Sequence, residues 1–216
     1  MSKIVLIRAG RTDYETDSRL LGMLELPINK RGMQQVQATV QELEQLELEL
    51  EMVFAAPGDP ACGTAQAIAA GFEGVRVKEL DELRNVDQGL WQGLPESEVR
   101  KRYPRVFKSC RGKPQTICAP EGESLSEACG RLTRVFNKAI RKYDVFAIVA
   151  VEPMATIIRC TLQQRGLTLA SCLCGEDRKL VECFDATEFD SRSFVNFECV
   201  PDTVDAATGV ASPGRH

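Results

Sequence analysis

The chain has 216 residues, 44% of them hydrophobic and 27% charged, the balance of a globular protein with room for one sizeable core. Its formal net charge of −4 leaves no global basic field for nucleic acid or an anionic membrane, so an anion site has to be local. Nine cysteines without a C-x-x-C pair, and a lone histidine at the last position, His216, argue for reduced thiols with neither a zinc site nor a disulfide framework.

From Met1 the chain passes through Lys3 directly into "IVLI", too short for a signal-peptide apolar region, and no run approaches the roughly 20 apolar residues that span a bilayer. The expected location is cytoplasmic. "KIVLI" over 3–7 is a continuous apolar run with β-branched residues, which predicts a strand buried on both faces. A helix is expected over about 30–49, where Met33, Val36, Val40, Leu43 and Leu46 recur at spacings of three and four and Gln34, Gln41, Glu42, Glu44 and Glu47 form a solvated face. "MVFAA" over 52–56 reads as a second buried strand, followed by "PGD" and a helix over about 60–70. After "PEGES" comes a helix over about 124–141, then a strand over 145–151 and a helix over about 154–164. Small, polar and Gly/Pro-containing residues from 201 to 216 predict a flexible tail, so a single domain over 1–200 is expected.

Strand, tight turn and helix thus recur three times. The expected fold is α/β: a three-layer α/β/α sandwich around a mainly parallel sheet, with the turns after the strands on one edge, where open α/β sheets bind ligands. At that edge stand Arg8, Ala9, Gly10, Arg11 and Thr12, then residues 57–60, then Glu152 and Pro153.

These residues carry a resemblance. "IRAGRT" keeps Arg8, Gly10 and Thr12 of a strand followed by R-H-G-[EQ]-T, and "RLLGMLELPINKRGMQQ" keeps Arg19, Gly22, Pro27, Gly32 and Gln35 of the segment that follows it. "LRNVDQGLWQGL", "GES" and "VAVEPMATIIR" match three further segments in order, so residues 3 to about 165 resemble the histidine phosphatase superfamily, the phosphoglycerate mutase-like proteins. The resemblance implies phosphoryl transfer through a covalent phosphohistidine, with no metal or other cofactor. It also implies that the nucleophile position is Ala9, the second arginine position Pro60, the acid position Asn85 and the second histidine position Glu152.

Each replacement removes a function. Ala9 has no lone pair, and deleting a nucleophile from a coupled catalytic unit costs on the order of a millionfold. Pro60 has no N–H to donate, although it suits a first helical residue. Asn85 cannot act as a general acid at neutral pH. Glu152 sets a carboxylate against a phosphate dianion. What remains for an anion is Arg8, Gly10, Arg11 and Thr12, and Glu152 is expected to pair with Arg8 and fill the phosphate seat from within.

A substitute nucleophile would have to be a thiol. Cys62, in the first turn of a helix whose dipole lowers a thiol pKa, comes first; Cys118 follows, while Cys172 and Cys174 read as packing residues. The segment 101–113 carries six basic residues and no acidic one; the resemblance implies a place near the pocket mouth, where it would steer anions or dock a partner, and the other reading is a solvated surface excursion, while Trp91 reads as core support at the pocket rim. The reading that follows is a catalytically inactive phosphatase-fold protein, a pseudoenzyme, that binds a small anionic ligand or a protein partner. The alternative is an altered phosphoric-ester hydrolase or mutase-like enzyme with a non-histidine nucleophile.

Overall fold

The computed structural model describes residues 2–109, 116–176, 179–186 and 189; the tail over 201–216, His216 included, lies outside them. A five-stranded sheet has the order β3-β2-β4-β1-β5, formed by β1 (Lys3–Arg8), β2 (Met52–Ala55), β3 (Arg76–Glu79), β4 (Val145–Ala150) and β5 (Val181–Asp185). The pairs β1·β4, β2·β4 and β2·β3 are parallel, and β5 runs antiparallel to β1.

The three interior strands are the three apolar runs. Ile4, Val5, Ile7, Val53, Phe146 and Ile148 are fully buried, because a strand covered on both faces has no solvent side on which to alternate. The two edge strands were not expected. β3 reads Arg-Val-Lys-Glu and β5 reads Val-Glu-Cys-Phe-Asp, charged sequences that suit a sheet margin facing water and carry no continuous apolar signal.

Helices flank the sheet. Four follow the expected order with shorter bounds: α2 (Lys30–Gln45), α3 (Ala61–Ala70), α6 (Leu125–Ile140) and α7 (Met154–Leu162). Pro60 is the cap of α3 and not its first residue. The buried stripe of α2 is Gly32, Val36, Thr39 and Leu43, so Met33 and Leu46 lie outside it, 50% and 41% exposed. The polar face of that helix is exposed as expected.

Four short helices, α1 (Asp13–Thr16), α4 (Glu96–Arg102), α5 (Pro104–Ser109) and α8 (Leu169–Cys174), lack the length that gives periodicity a signal. Packing of α7 on β1, β4 and α8 brings the ends of the two central strands together with the last turn of α8.

Candidate functional site

β1 and β4 end side by side, Arg8 opposite Ala150, so the residues that follow them share one edge of the sheet. The Ala9 N–H donates to Ala150 O at 2.9 Å, and the residue is buried. Beyond it the backbone donors are used by the scaffold. Gly10 N–H donates to Thr64 Oγ1 at 2.9 Å, Arg11 N–H to Gln35 Oε1 at 3.3 Å and Thr12 N–H to Glu15 Oε2 at 3.1 Å. Of Arg8, Gly10, Arg11 and Thr12, the two arginines line a cavity of about 410 Å³, a volume within the range of small-molecule sites.

Glu152 closes the base of that cavity. Its Oε1 lies 3.7 Å from Arg8 Nε and 3.6 Å from Arg159 Nη2, and its Oε2 accepts the Thr156 N–H at 3.1 Å, at the start of α7. Arg8 also meets Glu15 at 3.5 Å, while Arg159 meets Glu176 at 3.6 Å and Glu182 at 2.7 Å. A chain of ion pairs therefore runs from α1 through β1 and α7 to β5. Burial pushes the Glu152 carboxyl up to about 7, against the pull of Arg8, the Thr156 N–H and Arg159 in the other direction. Gly175, at φ +74°, lets the chain after α8 approach this carboxylate; a Cβ there would sit 2.6 Å from Glu152 Cδ.

Asn85 and Pro60 line a different space, a neighbouring cavity of about 30 Å³. Asn85 is buried with three hydrogen bonds: Nδ2 donates to Gly22 O and to Glu152 O at 2.9 Å each, and Oδ1 accepts Met154 N–H at 3.2 Å. Pro60 O accepts the Thr64 hydroxyl at 2.8 Å, the same hydroxyl that receives Gly10 N–H. Residues 60 and 85 thus tie loops together, and Asn85 holds the backbone that carries Glu152.

Residues 4–171 match the family described as the histidine phosphatase superfamily, branch 1. The chain belongs to that superfamily. Among its relatives are Phosphoserine phosphatase 1 of Hydrogenobacter thermophilus, 28% identical over 142 residues, and Phosphoglycerate mutase-like protein 4 of Arabidopsis thaliana, 29% identical over 151 residues. These alignments cover 66% and 69% of this chain but 65% of each relative, so the chain spans just under two thirds of their length. The mycobacterial glucosyl-3-phosphoglycerate phosphatase in complex with VO3 shares the fold at a TM-score of 0.65 and 21% identity, with 80% of this chain and 86% of that chain covered. YhfR of Bacillus stearothermophilus does so at 0.65 and 20%, with 76% and 81% covered.

On this histidine phosphatase scaffold the candidate thiols are poorly placed. Cys62 is buried and donates to Glu79 Oε1 at 3.3 Å; burial and that carboxylate push its pKa up, which corrects the expectation that the α3 dipole lowers it. Cys174, read as a packing residue, is instead exposed and lines the main cavity, because it ends α8 at the turn over Glu152; its thiol contacts Glu96 Oε2 at 3.5 Å, and desolvation, then Glu96, push it up to about 12. Cys118 donates to Ala119 O at 3.5 Å, and Cys172 is buried.

Trp91 is buried, with Tyr103 at 5.6 Å and Phe107 at 6.1 Å between ring centroids. The aromatic residues of the basic segment therefore pack inward on Trp91, while Lys101, Arg102, Arg105 and Lys108 are exposed; Arg111 and Lys113 lie outside the described residues. None of the described residues of that segment lines the main cavity.

Sequence reasoning did not single out Arg159, Glu15, Glu176 or Glu182. A signal existed for Glu15, because T-D-Y-E over 12–15 has the S/T-x-x-E form of a helix start. For the others no spacing rule joins a helix, a turn and an edge strand. Among the described residues no group of His, Cys, Asp or Glu is placed to hold a metal ion, and no helix is long and apolar enough to cross a membrane.

Proposed function

We propose that this superfamily member is a pseudoenzyme: it does not transfer phosphoryl groups through a histidine, and it binds a small ligand, or a partner protein, at the cavity closed by Glu152. The observation that carries the proposal is the position of Glu152 against Arg8, within 4 Å in a buried site. By the family pattern, this is where an oxyanion partner would stand. When Glu152 is ionised, a phosphate dianion seated there meets like charge, at about 4 kcal/mol for each unit-charge contact near 4 Å in an effective dielectric of about 20; when it is protonated, it still offers no positive charge to the phosphate. The pattern's nucleophile and acid positions hold Ala9 and Asn85, which offer neither lone pair nor proton.

Relatives bearing phosphatase and mutase names make small phosphate monoesters the substrates to test. The test is a hydrolysis assay at high enzyme concentration with p-nitrophenyl phosphate, phosphoserine and 3-phosphoglycerate, without added metal. The expected result is no turnover above a protein-free blank. Turnover abolished by Cys62→Ser or Cys174→Ser would replace this reading with a thiol-dependent hydrolase. The setting we take is the cytoplasm, in keeping with the cysteine usage.

A further inference from the structure

We infer that the cavity takes an uncharged, hydroxyl-rich compound of about the size of a monosaccharide, held by side chains whose charges are already compensated. The inference rests on the non-catalytic reading above and gives it a ligand class.

Four arginines and four glutamates line the cavity, so its formal charges cancel once the carboxyl groups are ionised. They are also paired. Arg8 stands 3.5 Å from Glu15 and 3.7 Å from Glu152, and Arg11 acts on Glu15 as well. Arg19 meets Asp17 at 4.0 Å and donates to Gly93 O at 2.8 Å. Glu96 is held by Arg100 at 2.6 Å and Glu176 by Arg159 at 3.6 Å. The fourth arginine, Arg31, is exposed on the first turn of α2, where water and salt screen it. The positive surplus that an anion site needs is missing, and so is the negative surplus that a cation site needs.

An ion entering such a place gives up its water and meets both signs of charge, so little Coulomb energy offsets its desolvation. An uncharged hydroxyl gives up less. Pairing does not exhaust the wall either, because a guanidinium has more N–H groups, and a carboxylate more lone pairs, than one ion pair uses. A hydroxyl both donates and accepts, so it bridges the two partners of a pair without pulling them apart, in hydrogen bonds strengthened by the charge on the protein side. Thr16 and Ser18, both exposed, add hydroxyls to the lining beside the half-buried Arg11, Glu15 and Glu96. At about 410 Å³ the cavity has room for several such groups on one carbon frame.

The test is isothermal titration at pH 8 with glycerol, sorbitol, myo-inositol and glucose, beside glucose 6-phosphate and 6-amino-6-deoxyglucose, which put an anion or a cation on the same ring. The best polyol is expected to bind roughly tenfold more tightly than either charged sugar, with an affinity that changes less than about twofold between about 50 and about 500 mM salt. Cys174→Trp places an indole in the cavity from the exposed end of α8 and should abolish polyol binding in protein that still melts cooperatively. Glu96→Gln, on α4, removes one carboxylate from the lining and should narrow the gap between glucose and glucose 6-phosphate by roughly threefold. Tighter binding of either charged sugar than of every polyol, without turnover, would overturn the polyol assignment and leave the pseudoenzyme reading standing. Release of phosphate from glucose 6-phosphate would overturn that reading itself. No binding of any polyol up to about 10 mM, polyol binding unchanged in folded Cys174→Trp, or an unchanged gap in Glu96→Gln would also sink the assignment.

Discussion

Asn85 shows how a single side chain can give up one task and fit another. Its amide donates to two carbonyls and accepts one N–H, so every polar contact it makes is satisfied in a buried place. Asn85→Asp is isosteric but replaces the donor with an oxygen facing Gly22 O and Glu152 O. It should cost roughly 2–4 kcal/mol in chemical denaturation, since a buried acceptor is left opposite two others. Restoration of the nucleophile is predicted to fail for a related reason. Ala9→His should give no phosphatase turnover above the protein-free blank, because position 60 still holds a proline, position 85 an amide and position 152 a carboxyl group. Substantial turnover from that one change would show that the remaining three positions matter less than their chemistry implies.

At the scale of elements, α8 and the turn after it decide the shape of the pocket. The Thr168 hydroxyl caps the helix by accepting Ser171 N–H at 3.1 Å, Gln88 Nε2 donates to Leu173 O at 2.6 Å, and Glu176 N–H donates to Thr156 Oγ1 at 2.9 Å. These bonds press Gly175 against Glu152. Gly175→Ala should lower stability by roughly 1–3 kcal/mol, because the new Cβ meets both a positive φ and a buried carboxylate. It should also change ligand affinity at the cavity. Thr168→Ala, a plain loss of a cap, should cost only about 1 kcal/mol and serves as the comparison in thermal denaturation. The turn was not legible in the sequence. "LTLASCLCG" is too short for helical periodicity, and its value comes from what it touches more than from what it is.

For the molecule as a whole, the buried carboxyl groups make stability depend on pH in an uncommon direction. Glu152 and Glu15 both have raised pKa values, caused first by burial. The folded state therefore binds these protons more tightly than the unfolded chain. Their stabilising contribution is complete below the ordinary carboxyl value of 4.5 and is lost as pH rises above it, for Glu152 as pH passes about 7. The groups facing Glu152, namely Arg8 and Arg159 with Glu15, Glu176 and Glu182 behind them, limit the effect without reversing it. Melting of the wild type and Glu152→Gln across about pH 5 to 8 should show the wild type losing ground to the variant as pH rises, by on the order of 1–3 kcal/mol. A constant difference across that range would mean that Glu152 stays ionised throughout.

By itself the sequence determined the family, the parallel centre of the sheet and the identity of the residues at its edge. Continuous apolar runs and short motifs are local properties, and they reach a reader one segment at a time. The Arg8–Glu152 contact was within reach by another route, because the resemblance puts both residues at one phosphate seat, and β1 and β4, far apart in the chain, do end side by side. Only the tertiary structure decided that Arg159 shares that carboxylate, that Asn85 and Pro60 face a separate space and that the Cys62 thiol meets Glu79. Each of these joins elements far apart in the chain, and the direction of a side chain follows from packing across elements, which no local spacing records.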